Sequence, residues 1–269
     1  MNSSFRVWRF FDLISLADWV GLAATTFAAA LLYAVSGFGF AVLAAPLYLL
    51  FVDPPRAIQL VIIISTALSL TVVSGLRYAI AWGLLLRLAF GALAGLPVGL
   101  VAFRHADPLG VRLGVGVTIL SFEMLMAWRW RRRGQALAPL ALSSGGDLIA
   151  GGASGIAAAL VGMAGPPALI YLLLAGAAVT TIRATLLAFF VLTYGATLIS
   201  HAATIGVPGS TWLAAGTLVP FALVGGFAGR PIGDRLGAEG FTLLAVALLA
   251  AAGLYTTAAA IVGLTTGQR

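Results

Sequence analysis

The sequence predicts an all-α polytopic membrane protein of two homologous repeats, each with four to five transmembrane segments, eight to ten in total, and each opening with a broken helix. Three observations carry that prediction. Of the 269 residues, 61% are hydrophobic and 9% charged, and the mean hydropathy is +1.09, more apolar surface than a soluble core can hide. Long apolar windows recur from end to end. Two of them are interrupted by glycine and proline at matching places.

The windows fall at residues 19–52, 57–76, 82–103, 109–128, 148–182, 184–200, 211–229 and 240–262, with Glu123 inside the fourth. Each is near or above the ~20 residues that cross a hydrocarbon core of about 30 Å. Lipid-facing backbone has to satisfy its own hydrogen bonds, so the spans are helices.

The first window, charge-free between Asp18 and Asp53, holds about 34 residues, or ~51 Å of continuous helix. That is too long for one crossing and short for two. Within it the stretch "SGFGFAVLAAP", residues 36–46, places Ser36, Gly37, Gly39 and Pro46, all of which weaken helices. A break at the glycines is expected, with a second helical piece starting at or just before Pro46. The run between Asp147 and Arg183 repeats the pattern with "VGMAGPPALIY" at 161–171.

Further correspondences keep the same order. Ser36-Gly37 answers Ser154-Gly155, Pro46 answers Pro166, Arg56-Ala57 answers Arg183-Ala184, and the pair Gly95/Gly99 answers Gly225/Gly229. This reads as a tandem duplication in one membrane domain, residues 1–269. Repeat 1 covers about 13–128, a cytoplasmic linker about 129–147, and repeat 2 about 148–263. Four crossings per half keep the repeats parallel, whereas five invert the second. Arginine counting scores both equally, and a broken element that crosses twice favours inversion.

The net charge of +7 is carried by arginine alone, because the chain has no lysine. These arginines stand at span ends, where they snorkel and set topology, and only "RWRRR" at 129–133 is a cluster; nucleic-acid binding is a poor account of it. Absence of cysteine removes disulfides and thiolate chemistry, and absence of lysine removes Schiff bases. The two histidines, His105 and His201, are too isolated for a metal site. No enzyme activity, metal or cofactor is expected. Asp12 and Asp18 interrupt the N-terminal apolar stretch, which speaks against a cleaved signal peptide.

Matching interruptions in two halves point to a binding site, since half-helix N-termini present unpaired N–H groups and positive dipole ends. Such a site suits an anion. Ser36 and Ser154 add hydroxyl donors, and Arg56 and Arg183, each near the start of the span after its break, would attract an anion or snorkel at the interface. Gln59, Ser65 and Thr66 in one half, and Thr185, Thr193 and Tyr194 in the other, would line a cavity or bond back to their own helices. Gly95, Gly99, Gly225 and Gly229, spaced four apart, read as close-packing faces. Glu123 and His201 read as interfacial groups more readily than as proton carriers.

At these motifs the chain resembles the sulfite exporter TauE/SafE family, also called the toluene-sulfonate uptake permeases. The resemblance rests on "SGFGFAVLAAPLYLL" followed by "PRAIQL", and on "VGMAGPPALIYLLLAG" followed by "RATLLAFF". It implies a secondary carrier of small sulfur-containing anions, such as sulfite, sulfonates or sulfoacetate, in a bacterial inner membrane. Its substrate contacts would come from Ser36, Gly37, Phe38, Gly39, Pro46, Arg56 and Gln59 in the first half. The second half would contribute Ser154, Gly155, Gly162, Gly165, Pro166, Arg183, Thr185 and Tyr194. Partners would be the anion and the bilayer, with no nucleic acid and with a homodimer left open. A non-transporting scaffold or an intramembrane enzyme are the alternatives from other classes.

Overall fold

The computed structural model describes residues 15–73, 78–131, 143–174, 179–229 and 231. Most of the linker, the last apolar window at 240–262 and both termini lie outside the described residues. Among the described residues the protein is all-helical and multi-pass, with nine helices of which six are long and apolar enough to cross a membrane.

Helix α1, Leu16–Ser36, starts at Ser15, whose hydroxyl accepts the Asp18 N–H at 3.1 Å. The cap and the acidic first turn satisfy and complement the helix N-terminus. It stops at Gly37, whose φ of 77° is left-handed and whose N–H returns to the Tyr33 carbonyl. Two residues later Gly39, at φ 109°, opens α2, Phe40–Tyr48. The second helical piece therefore begins well before Pro46, which sits inside α2 and is buried. Two positive-φ glycines make the break; proline keeps a helical φ and removes only one hydrogen bond.

Residues 143–174 have a similar arrangement. Helix α6, Ser144–Val161, is capped by Ser143 and ends at left-handed Gly162. Helix α7, Gly165–Leu174, places Pro166 and Pro167 in its first turn, where a missing N–H costs nothing. At 9 and 10 residues, α2 and α7 reach only ~15 Å and cannot cross alone. Each folds back along the helix before it. The Tyr48 hydroxyl on α2 bonds the Thr26 hydroxyl at 2.6 Å, and the Tyr171 hydroxyl on α7 bonds Ser143 at the start of α6.

The remaining helices are α3 (Pro54–Val73), α4 (Trp82–His105), α5 (Pro108–Arg131), α8 (Val179–Thr204) and α9 (Gly209–Gly229). Two pairs meet backbone to backbone through glycine. A Cβ on Gly91, Gly95 or Gly99 of α4 would overlap the carbonyl oxygens of Leu148, Gly152 and Ile156 on α6. A Cβ on Gly225 or Gly229 of α9 would overlap those of Phe27 and Leu31 on α1. In lipid, where helices gain little from burying apolar surface, such close approach is what holds them together.

The contacts also fix direction. In both glycine pairs residue numbers rise together, so α4 runs parallel to α6 and α9 parallel to α1. Gln59, near the start of α3, bonds Gly206 beyond the end of α8, and Ala81, just before α4, bonds Thr185 near the start of α8. Helices α3 and α8 are therefore antiparallel, while α4, α6 and α8 point one way. A half-buried ion pair closes the α4–α6 seam, with Nε of half-buried Arg87 on Oδ2 of buried Asp147.

Candidate transport site

Several of the singled-out residues converge on one buried cavity between the tips of the two helical hairpins. Its walls are Gly39, Phe40, Ala41 and Val42 at the start of α2, Gly165 at the start of α7, Tyr33 of α1, Ser65 of α3, and Phe190 and Tyr194 of α8. The space is no larger than a single water. Two of its lining rings, Phe40 and Phe190, are buried.

Local folding explains the donors that face it. A helix leaves its first N–H groups without intrahelical partners, and Gly39 provides no side-chain cap for α2. The N–H groups of Phe40, Ala41 and Val42 consequently have no partner among the described residues; the first ladder bond is Leu43 to the Gly39 carbonyl. Ser65 is buried, and its hydroxyl faces that of Tyr194 without a hydrogen bond of normal geometry. Tyr194 accepts the Ala164 N–H at 3.2 Å, which leaves its own proton to donate.

The second tip is more self-contained. Ala164 gives its N–H to Tyr194, Ala168 gives its own to Ser154 at 3.1 Å, and the prolines between them have none. Ser154 is thus spent on α7. The two breaks that look alike in sequence differ in what they offer: among the described residues α2 leaves three N–H groups without a partner and α7 only that of Gly165.

The arginines separate as well. Arg183 lies across Gly37, where any Cβ would strike its Cγ, and its Nη2 donates to the Ala34 carbonyl at 2.6 Å. Its Nε is buried without a partner, and no carboxylate pairs with it among the described residues. Arg56 stands apart, half-buried beside Asp53 at 3.6 Å. At the matching left-handed glycine, Gly162, the neighbours are Ile58 and Val61 rather than an arginine. Arg56 and Arg183 are not equivalent in place, because Arg183 answers Ile58.

Other expected contacts are spent on the scaffold. Gln59 Nε2 donates to the Gly206 carbonyl at 2.9 Å and Thr185 accepts from Ala81 N at 3.1 Å, each tying a hairpin-flanking helix to a loop of the other half. Gly155 presses on the Ala92 carbonyl, Pro46 is inside α2, Pro166 is in the first turn of α7, Ser36 ends α1, and Phe38 is half-buried between the two glycines. Tyr33, Phe40, Ala41, Val42 and Phe190 were not anticipated. Tyr33 is one turn before Gly37 and Phe190 one turn before Tyr194, so helical spacing was the signal that could have found those two.

A family model described as Sulfite exporter TauE/SafE matches residues 22–256, most of the chain. No curated protein and no solved structure matches it. With the match covering residues 22–256, the chain belongs to the TauE/SafE sulfite exporter family, whose members are membrane transporters and not enzymes.

Proposed function

We propose that the protein is a secondary carrier of small sulfur-containing anions, such as sulfite, sulfonates or sulfoacetate, in a bacterial inner membrane. One observation carries the proposal: Phe40, Ala41 and Val42 of α2, whose N–H groups have no partner among the described residues, line a single cavity together with Ser65, Tyr194 and the tip of α7. Donors without acceptors, at the positive end of a short helix, are what a small oxyanion requires. Arg183, a cation with no carboxylate partner among the described residues, lies against the same tip and adds attraction without lining the cavity.

The carrier works, in this proposal, as two inverted repeats, about 13–128 and 148–263, joined by a cytoplasmic linker at 129–147. The support is the reciprocal packing. Each half opens with a helix ending at a left-handed glycine and a short helix folded back on it. Each opening helix runs parallel to a glycine-bearing span of the other half, α1 to α9 and α6 to α4. Breaks entering from opposite faces suit alternating access around a fixed central site. Loading an anion then requires the Phe40 and Phe190 rings to part.

Proteoliposomes with radiolabelled sulfoacetate or sulfite test this. Wild type should give saturable uptake above empty vesicles. Gly39→Leu, which forces a side chain into a left-handed, cavity-lining position, should abolish it while membrane insertion persists. Absence of saturable flux for every sulfur oxyanion tried, or wild-type flux in the Gly39 variant, overturns the proposal.

A further inference from the structure

Helix α8 reaches the carbonyl ends of both α1 and α6. At the first, Arg183 donates to the Ala34 carbonyl; at the second, His201 Nε2 meets the Ala159 carbonyl at 3.0 Å. Ala34 and Ala159 each stand three residues before a left-handed glycine, Gly37 and Gly162. One end is therefore met by a permanent cation and the other by a group that becomes one.

The tautomer follows from the partner. A carbonyl oxygen only accepts, so Nε2 carries the hydrogen and, in the neutral ring, Nδ1 holds the lone pair. Nδ1 is buried without a partner, and the residue is fully buried. It is an open proton acceptor inside the protein. The carbonyl end of α6 favours positive charge there. From α4, the Phe103 ring packs at 4.9 Å, and exposed Arg104, the cation on that side, bonds the Thr204 carbonyl one turn further along α8. No carboxylate of α3, α4, α6 or α7 pairs with His201 among the described residues.

We infer that His201 is a proton-coupling site of the carrier, binding at Nδ1 a proton that crosses with the anion; this rests on the transport function proposed above. His201 lies seven residues from the cavity-lining Tyr194 on one helix, ~10 Å by helical rise. At that distance a unit charge shifts binding of an opposite charge on the order of tenfold when the effective dielectric constant is about 20. The anion and the proton thereby favour each other. Nδ1 takes a proton from water on one side while the anion loads, and returns it to water on the other side as the anion leaves. The neutral ring is restored and no proton is consumed.

The chain has two histidines, and His105 is exposed at the end of α4, so His105→Gln leaves His201 as the single imidazole. Nitrogen-15 NMR of that protein in nanodiscs, with labelled histidine, follows Nδ1 against pH with and without saturating sulfoacetate. The expected result is a proton gained at Nδ1 with a titration midpoint raised about one pH unit by sulfoacetate, the tenfold effect above. In proteoliposomes enclosing a pH dye, wild type should move protons with sulfoacetate, and His201→Gln should carry the anion without them. A wild type with no saturable flux of any sulfur oxyanion tried, sulfoacetate and sulfite included, overturns the transport function itself. A wild type that carries sulfoacetate while its His201 midpoint ignores the anion, or whose His201→Gln variant keeps full proton coupling, overturns this inference alone.

Discussion

Gly37 meets three demands at one Cα. Its φ is left-handed, its N–H caps α1, and the Arg183 stem occupies the space a Cβ would need. Gly206 is also left-handed but has open space around it. Gly206→Ala should therefore cost only the backbone penalty, about 1–2 kcal/mol, whereas Gly37→Ala should cost more because Arg183 has to move. Thermal unfolding of the two purified variants gives the order, and equal losses would remove Arg183 from the account. Glycines of this kind were legible in the sequence, since few other residues hold such a φ. The fates of Gln59 and Thr185 were not. A polar group in an apolar helix announces that it needs a partner, but those partners lie 147 and 104 residues away.

At the level of helices, the four-residue glycine spacing foretold close packing and the contacts agree. What spacing alone withholds is the partner: Gly95 meets α6, beyond the 129–147 segment, and not the helix next to it in sequence. Gly95→Leu should drive a side chain into the Gly152 backbone and cost about 3 kcal/mol or more, seen as loss of folded yield. Gly216→Leu, on the open side of α9, should leave yield unchanged. The Arg87–Asp147 pair makes an asymmetric prediction, because Asp147 is fully buried and Arg87 is 42% exposed. Arg87→Ala strands a buried carboxylate and should cost about 3–5 kcal/mol. Asp147→Ala frees a cation that already reaches the surface and should cost less than half as much; denaturation of both variants by one method decides, and the reverse order would mean that Asp147 has another counter-charge.

The direction of the spans is a property of the whole molecule, and the sequence held it least. Length and hydropathy are the same for a helix read upward or downward, and the arginines divide with the same totals under either topology. Contact registers give the relative directions of the described helices. Helices α4, α6 and α8 share one direction and α1, α3 and α9 the other. Native cysteine is absent, so single cysteines can be labelled with an impermeant maleimide. Those at Ser15, His105 and Gly209 should react from one face of the membrane, and those at Tyr78 and Ser144 from the other. Any exchange between these two groups contradicts the arrangement.

The seam between α1 and α9 joins residues about 200 apart, as Phe27 meets Gly225. At 5–20 residues per second, a ribosome takes roughly 10–40 s to make the intervening chain. For that interval the small-residue face of α1 lies against lipid, with nothing of its own to close upon. The first half, once inserted, waits in the bilayer incomplete, and assembly finishes only when the last described span arrives.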